Sequence, residues 1–244
     1  MAVEAQRPAF YALAAGGWRD YVTLLHPPYT AWHLSYVVIG AALAPTLAVG
    51  RLLPTLGAFF LAVGVAAHAL DELRGRPLGT EIPRTVLVVL AGVSLAGAAG
   101  IGVYGAVTVN AWIGLFAALG VFAALAYNLE LFGGRLHTDA TFALFWGAFP
   151  VLTAYFAAAE TIRPAAAVAA VFAFALSAAQ RILSTPVRDV RRRVARVTGT
   201  IERRDGSAEP LDERTLLAAP EAALRALAYA SIVLAVALVM MHTA

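Results

Sequence analysis

The 244-residue sequence contains no cysteine and no lysine, and only 14% of its residues are charged. Without cysteine, disulfide bonds and thiolate metal sites are excluded. Hydrophobic residues make up 61% of the chain, and its mean hydropathy is +0.75. A soluble domain of this composition would precipitate, so the composition predicts an integral membrane protein.

Seven apolar runs have about the 20 residues that a helix needs to cross a bilayer. They lie at 29–50, 52–72, 85–107, 110–128, 140–160, 164–183 and 217–241. The sequence therefore predicts an all-α, polytopic bundle of about seven transmembrane helices. No cleavage-like site precedes the first run, so no removable signal peptide is expected.

The apolar runs divide the chain into four parts. Residues 1–27 are expected to form an interfacial amphipathic segment, and residues 28–183 a six-helix membrane core. Residues 184–216 form a cytoplasmic connection in which Asp205-Gly206 favours a hairpin, a possible lid over a cavity. Residues 217–244 contain the seventh membrane helix.

The arginines predict the orientation of these helices. With the N-terminus and the connections after helices two, four and six on one side, all arginines except Arg51 and Arg163 fall on that side. By the positive-inside rule, that side is cytoplasmic. The predicted location is the cytoplasmic (inner) membrane, with the N-terminus in the cytoplasm and the C-terminus on the opposite side. Because the positive charge follows membrane topology, no nucleic-acid partner is expected.

Polar side chains gather near the cytoplasmic ends of five predicted helices. They are His33, His68, Asp71, Glu72, Asn128, Glu130, His137, Asp139, Gln180 and Arg181. Ionisable residues at membrane depth are costly and indicate function. We therefore expect a polar cavity that opens to the cytoplasm.

This set contains candidate metal ligands in two groups. His68, Asp71 and Glu72 stand at i, i+3 and i+4 and so share one helix face, while Glu130, His137 and Asp139 form the second group. His33 and Asp189 are further candidates. Imidazoles with carboxylates suit iron, zinc or manganese, whereas carboxylates alone suit magnesium. The alternative is ordinary interfacial roles, with Asp139 capping a helix and Glu72 pairing with Arg76.

Other candidates would bind substrate. Arg76 and Arg181 adjoin the polar cluster and suit an anionic head group, and Asn128 and Gln180 add uncharged polar contacts. The run Arg191–Arg193 is more typical of a membrane anchor, and His26 before two prolines is expected to be structural. Aromatic residues of the fifth run, from Phe142 to Phe156, either line a tunnel for an apolar substrate or pack the bundle.

The motif from His68 to Pro83, His-Ala-Leu-Asp-Glu-Leu-Arg-Gly-Arg-Pro-Leu-Gly-Thr-Glu-Ile-Pro, resembles the UbiA superfamily of intramembrane prenyltransferases. The segment from Trp18 to Pro45 and the end of the fourth run, Ala126-Tyr127-Asn128, are similar to the same family. The resemblance implies two aspartate-rich motifs that bind magnesium and hold an isoprenyl diphosphate. Asp71 matches one family aspartate, but His68 and Gly75 stand where others are expected, and Asp189 is the carboxylate near the second motif.

Three functions follow as expectations. The first is a UbiA-like enzyme in which a divalent metal assists prenyl transfer or cyclisation of an isoprenoid or lipid, with Asp71, Glu72 and His68 as catalytic residues. The second is a non-haem iron, manganese or zinc enzyme that oxidises or hydrolyses a lipid. The third is a non-catalytic membrane protein that binds or transports a lipid or ion, or assists a partner.

Overall fold

A computed structural model describes residues 7–242 as helices with one small hairpin. The helices are α1 (Trp18–Leu24), α2 (Pro27–Ala42), α3 (Val49–Leu73), α4 (Arg84–Thr108), α5 (Trp112–Asn128), α6 (Asp139–Ala159), α7 (Pro164–Arg193) and α8 (Glu213–Met240). A single 3₁₀ turn, Leu131–Gly134, lies between α5 and α6. The strands β1 (Thr200–Glu202) and β2 (Ala208–Pro210) pair antiparallel before α8.

The prediction of an all-α membrane protein is confirmed at the level of helix length and composition. Within residues 7–242, five helices are long and apolar enough to cross a membrane: α3, α4, α6, α7 and α8. Helix α5 is apolar but shorter, at 17 residues, and α2 has 16. A multi-pass arrangement follows from the five long helices alone.

Two helix boundaries differ from the sequence-based prediction. The run at 29–50 is not one helix, because α2 ends at Ala42 and α3 already begins at Val49. Pro45 explains the break, since a proline disfavours helical backbone at the residue before it. Helix α7 continues to Arg193 rather than ending near residue 183. Its last turn carries Arg191–Arg193, and positive charges stabilise the C-terminal end of a helix.

The bundle is built around α6. Helix α2 packs between α6 and α8, and α7 packs along α6, while α3, α4 and α5 form the other side. The largest buried cluster joins α2, α6, α7 and α8 through side chains such as Trp32, Tyr36, Val151 and Leu224. Many buried contacts are made by alanine, as expected where membrane helices approach closely.

Two glycines permit backbone contact with α6. A Cβ atom added to Gly40 of α2 would lie 2.3 Å from the carbonyl oxygen of Val151 in α6. One added to Gly147 of α6 would lie 2.5 Å from the carbonyl oxygen of Ala173 in α7. The neighbouring atoms are backbone, so they cannot rotate away, and both positions require glycine.

We expect Gly40→Ala and Gly147→Ala to destabilise the protein, each by about 1–3 kcal/mol, because the added methyl forces the helices apart. The measurement is the thermal unfolding midpoint of the purified protein in detergent. Gly92→Ala is the matched control, because nothing lies within 4 Å of its added Cβ. Equal midpoints for all three variants would contradict this account of helix packing.

Candidate functional site

A cavity of about 400 Å³ lies at the end of the bundle where α3, α5 and α7 end and α6 begins. Nine residues chosen from the sequence line it: His33, His68, Asp71, Asn128, Glu130, His137, Gln180, Arg181 and Asp189. They come from α2, α3, α5, α6 and α7 or from the residues next to these helices. Side chains up to 156 residues apart in the chain thus line one cavity.

Glu72 has its own partners away from this cavity. Its carboxylate is buried and accepts hydrogen bonds from the Leu78 amide at 3.0 Å, the Thr80 amide at 2.9 Å and the Thr80 hydroxyl at 2.8 Å. Asp71, one position earlier, faces the cavity instead. The structure therefore gives Glu72 a role in holding the 74–83 loop.

Arg76 and Asp139 also lie outside the set of cavity-lining residues. The Arg76 guanidinium donates to the carbonyl oxygens of Thr80 at 2.6 Å and Ile82 at 2.9 Å. No Glu72–Arg76 ion pair forms in the described part of the chain. Asp139 is 62% exposed and pairs with Arg181 at 2.7 Å. Arg76 thus braces its own loop, and Asp139 neutralises a cavity arginine from outside.

The hairpin does not line the cavity: within residues 7–242, no lining side chain comes from 194–216. The N-terminal segment does, through Pro8, Ala9, Phe10 and Tyr11. Arg192 donates to the carbonyl oxygen of Pro8 at 3.4 Å, and Arg225 lies over the ring of Phe10 at 5.2 Å. Chain preceding α1, rather than the expected hairpin lid, therefore covers this side of the cavity.

Three cavity histidines have the same ring orientation. The Nδ1 atoms of His33, His68 and His137 lie 2.9, 3.1 and 2.9 Å from the backbone carbonyl oxygens of Trp146, Gly64 and Tyr127. A carbonyl oxygen only accepts, so each Nδ1 donates its hydrogen and each neutral ring keeps its lone pair on Nε2. The three rings thus offer hydrogen-bond acceptors to the cavity.

Two of the accepting carbonyls belong to π-helical segments. Gly64 lies in the segment Phe60–Ala67 of α3, and Trp146 in the segment Ala143–Ala148 of α6. A π-helical turn shifts the regular hydrogen-bonding pattern and often occurs at functional sites. Here both segments orient a histidine beside the cavity.

His26 is a cavity residue that sequence reasoning assigned a structural role. Its ring stacks on His68, with centroids 4.0 Å apart, and its Nδ1 shares a hydrogen bond of 2.8 Å with the Tyr11 hydroxyl. Its backbone is left-handed, with φ 46°, directly before Pro27, where that conformation is disfavoured. Burial, and to a smaller extent His68, hold the pKa of His26 well below its usual value, so the ring is uncharged.

A row of arginines on α7 forms the charged wall. Arg181, Arg188 and Arg192 stand at i, i+7 and i+11 and so share a helix face. Arg181 pairs with Asp139, but neither Arg188 nor Arg192 forms an ion pair within residues 7–242. From the sequence, Arg188 is a neighbour of the predicted phosphate-binding arginines, but only Arg76 and Arg181 were chosen, and Arg192 was not considered for this role. Their spacing would have indicated them had α7 been extended to Arg193.

Two carboxylates that line the cavity lie beside arginines. Glu130 pairs with Arg74 at 2.8 Å, and Asp189 lies 3.6 Å from Arg193. Within residues 7–242, no group of three His, Asp or Glu side chains is arranged to hold a metal ion. The predicted magnesium, iron, manganese or zinc site therefore stays a prediction, and no step of the chemistry below depends on a metal.

A second, apolar crevice of about 120 Å³ lies between α3, α4, α5 and α6. Trp146 lines both this crevice and the polar cavity. Aromatic side chains, including Phe59, Phe116 and Phe149, form much of the crevice wall. At its far end lies Arg51, which pairs with Glu160 at 2.9 Å. The polar cavity and the apolar crevice therefore share one indole ring in their walls.

Comparison of the chain with protein-family models, with curated proteins and with solved structures finds no match. The UbiA resemblance therefore remains a prediction.

Glu72→Gln should lower the free energy of unfolding by about 1.5–3 kcal/mol. The side-chain NH₂ group of glutamine would face the Leu78 or Thr80 donor at a position where a carboxylate oxygen now accepts a hydrogen bond. Asp71→Asn is the matched control, since its carboxylate forms no hydrogen bond or ion pair within residues 7–242. Thermal unfolding in detergent measures both. An equal loss in the two variants would contradict the separate roles given to these neighbours.

Proposed function

We propose that this protein is a UbiA-like enzyme of the inner membrane, with seven membrane helices, that acts on an isoprenoid diphosphate. The diphosphate would lie in the cytoplasm-facing cavity, and the isoprenoid chain would extend past Trp146 into the apolar crevice. The observation that carries this proposal is that Trp146 lines both an arginine-lined cavity and an apolar crevice.

The charge of the cavity supports an anionic head group. Arg188 and Arg192 have no carboxylate partner in the described chain, and Arg181 adds a third guanidinium on the same helix face. Arg188 and Arg192 are partly buried, where a cation without a counter-charge is costly, and guanidinium groups bind phosphate oxygens well. A diphosphate would supply the missing negative charge.

The shape of the cavity supports an apolar chain. The rings of Phe142 and Trp146 are nearly parallel, with centroids 5.4 Å apart; both line the polar cavity, and Trp146 also lines the apolar crevice. Aromatic faces attract positive charge as well as apolar surface. An allylic carbon beside these rings would be stabilised as its bond to the diphosphate breaks.

The proposed catalysis is electrostatic. When the carbon–oxygen bond ionises, negative charge grows on the leaving diphosphate and is stabilised by Arg188 and Arg192, which are already in place. The allylic carbon then forms a new bond to a nucleophile, and the nucleophile loses a proton. Asp71, a cavity carboxylate without a hydrogen bond in the described chain, is the group placed to accept that proton.

We expect Arg188→Gln and Arg192→Gln to weaken binding of a non-hydrolysable farnesyl thiolodiphosphate about 10- to 100-fold each, because each removes a charge-assisted contact worth about 1.5–3 kcal/mol. Arg203→Gln is the matched control: it removes an arginine that pairs with Glu209 in the hairpin, away from the cavity. Binding is measured with labelled analogue and protein in lipid nanodiscs.

Turnover of farnesyl diphosphate is measured in a membrane-lipid extract as the release of diphosphate. We expect Asp71→Asn to abolish this release. Binding without any release would instead favour the non-catalytic lipid-binding alternative. Undiminished binding in both arginine variants would contradict the proposed head-group site.

The proposed orientation is testable because the chain has no native cysteine. Ser207 lies in the hairpin turn, and Thr161 lies between α6 and α7 at the opposite end of the bundle. Both residues are exposed, so each can be replaced by cysteine in turn, as Ser207→Cys and Thr161→Cys. A membrane-impermeant maleimide should label Thr161→Cys in intact cells and Ser207→Cys only in inverted vesicles. Labelling of both from the same side would overturn the orientation.

A further inference from the structure

Residues 7–12 form a strap across the polar cavity. They lie in bends and turns rather than in a helix or strand, and four of them, from Pro8 to Tyr11, line the cavity. Ala9 and Ala12 are 8% and 1% exposed, so the strap packs closely against the bundle. Because the strap belongs to no helix or sheet, its contacts with neighbouring side chains determine how readily it opens.

The end of the strap next to α1 is firmly attached. The Leu13 amide donates to the Thr23 hydroxyl at 3.0 Å, and the Gly16 amide donates to the Asp20 carboxylate at 3.0 Å. The second oxygen of Asp20 accepts from the Glu81 amide at 2.8 Å, and Asp20 is 3% exposed. Hydrogen bonds to a carboxylate are stronger than those between neutral groups, so this end stays with the bundle when the strap moves.

The other end of the strap is held by arginines of α7. The guanidinium groups of Arg191 and Arg192 donate to the carbonyl oxygens of Arg7 and Pro8 at 3.3 and 3.4 Å. Both distances exceed the usual range of N–H···O hydrogen bonds, so these contacts are weak. Arg191 also pairs with Glu221 of α8, and this ion pair persists when the strap moves away.

Aromatic contacts hold the middle of the strap. The ring of Phe10 lies edge-on to that of Tyr29, with centroids 6.1 Å apart, and the Arg225 guanidinium lies 5.2 Å from the Phe10 ring. The Tyr11 hydroxyl shares its hydrogen bond of 2.8 Å with His26 Nδ1. Opening the strap breaks these contacts and the two arginine bonds but leaves every membrane helix packed, so it costs less than unfolding the bundle.

Arg192 connects the strap with the proposed anion site. Its Nε atom donates to the Pro8 carbonyl, and a guanidinium has further N–H donors on its two Nη atoms. An anion that binds these Nη atoms holds the guanidinium in place and so strengthens its contact with the strap. A ligand in the cavity therefore favours the closed strap.

We propose that the strap is a gate: residues 7–12 move away from α7 and α8 to admit a ligand to the cavity, and they close over the bound ligand through Arg192. The gate does not depend on which anion the cavity binds. Only the choice of ligand for the test rests on the proposed function.

The test measures how fast a single cysteine is labelled by a water-soluble maleimide in the full chain in lipid nanodiscs, because the chain has no native cysteine. Ala12→Cys reports opening of the strap. Ser207→Cys, at an exposed position, gives the unprotected rate, and Ala69→Cys, at a position 0% exposed in α3, reports unfolding of the bundle. We expect labelling of Ala12→Cys to be about tenfold or more slower than that of Ser207→Cys, and about tenfold or more faster than that of Ala69→Cys.

Two substitutions outside the arginine wall should loosen the strap. Tyr11→Phe removes the hydrogen bond to His26 but keeps the ring, so we expect labelling of Ala12→Cys to be about fivefold faster. Arg225→Gln removes the cation from the Phe10 ring and should speed the labelling about threefold.

Arg203→Gln, in the hairpin, is the matched control for the loss of an arginine and should leave the rate unchanged. None of the three substitutions should change the labelling of Ala69→Cys. A general loss of stability would speed labelling at both positions, and so would contradict a local opening.

Ligand should hold the gate closed. With saturating farnesyl thiolodiphosphate, we expect labelling of Ala12→Cys to be about fivefold or more slower, and labelling of Ser207→Cys to be unchanged. In Arg192→Gln, the ratio of the rates with and without analogue should fall close to one, even when the analogue concentration is raised to restore occupancy.

Labelling of Ala12→Cys as slow as that of Ala69→Cys would overturn the gate, as would equal rates with and without bound analogue. Occupancy is measured separately with labelled analogue. If the analogue does not bind at all, the proposed function fails, and the gate is supported or overturned by the ligand-free rates of the wild type, Tyr11→Phe and Arg225→Gln.

Discussion

The close contact of α6 with two neighbouring helices determines where the cavity side chains lie. Gly40 brings α2 against Val151, and Gly147 brings α6 against Ala173 of α7. Within one turn of Gly147, the Trp146 carbonyl accepts the hydrogen bond from His33. The backbone contacts thus position an imidazole, an indole and the start of the apolar crevice together. A larger residue at either glycine would move all three.

Some charged side chains around the cavity form ion pairs, whereas others have no charged partner in the described chain. Glu130, Asp139 and Asp189 each lie beside an arginine. Arg188, Arg192 and the carboxylate of Asp71 have no such partner in the described chain. Charges without a partner near a low-dielectric interior are costly, and proteins retain them where a ligand or a reaction uses them. This contrast, more than the number of ionisable residues, makes the cavity the candidate functional site.

The histidines illustrate a different use of buried polarity. Each of the rings of His33, His68 and His137 is fixed by one backbone carbonyl, so its free nitrogen is an acceptor rather than a donor. Together with the uncharged end near Gln180, this makes one part of the cavity suited to neutral hydrogen-bonding groups. The arginines of α7 make the other part suited to anions.

Much of the architecture is predictable from the sequence because the bilayer imposes it. Apolar runs of sufficient length must become helices that satisfy their own backbone, and five of these runs did so. Four of them have nearly the predicted ends, and α7 continues ten residues further, to Arg193. The polar residues at one depth could also be found, because charge inside an apolar run is rare. Nine of them do line one cavity. The end of α2 before Pro45 could have been predicted from the backbone preference of the residue before a proline. The continuous apolar run at 29–50 indicated a single helix instead.

The sequence by itself determined the membrane helices and the depth of their polar residues, since both depend only on composition and spacing along the chain. Only the tertiary structure decided the direction of each side chain. Asp71 and Glu72 are adjacent and chemically alike, yet one faces the cavity and the other bonds to Thr80, because helix rotation is set by packing against distant residues. The same holds for the junction at Trp146, whose two cavities are lined by helices that meet only in the folded bundle.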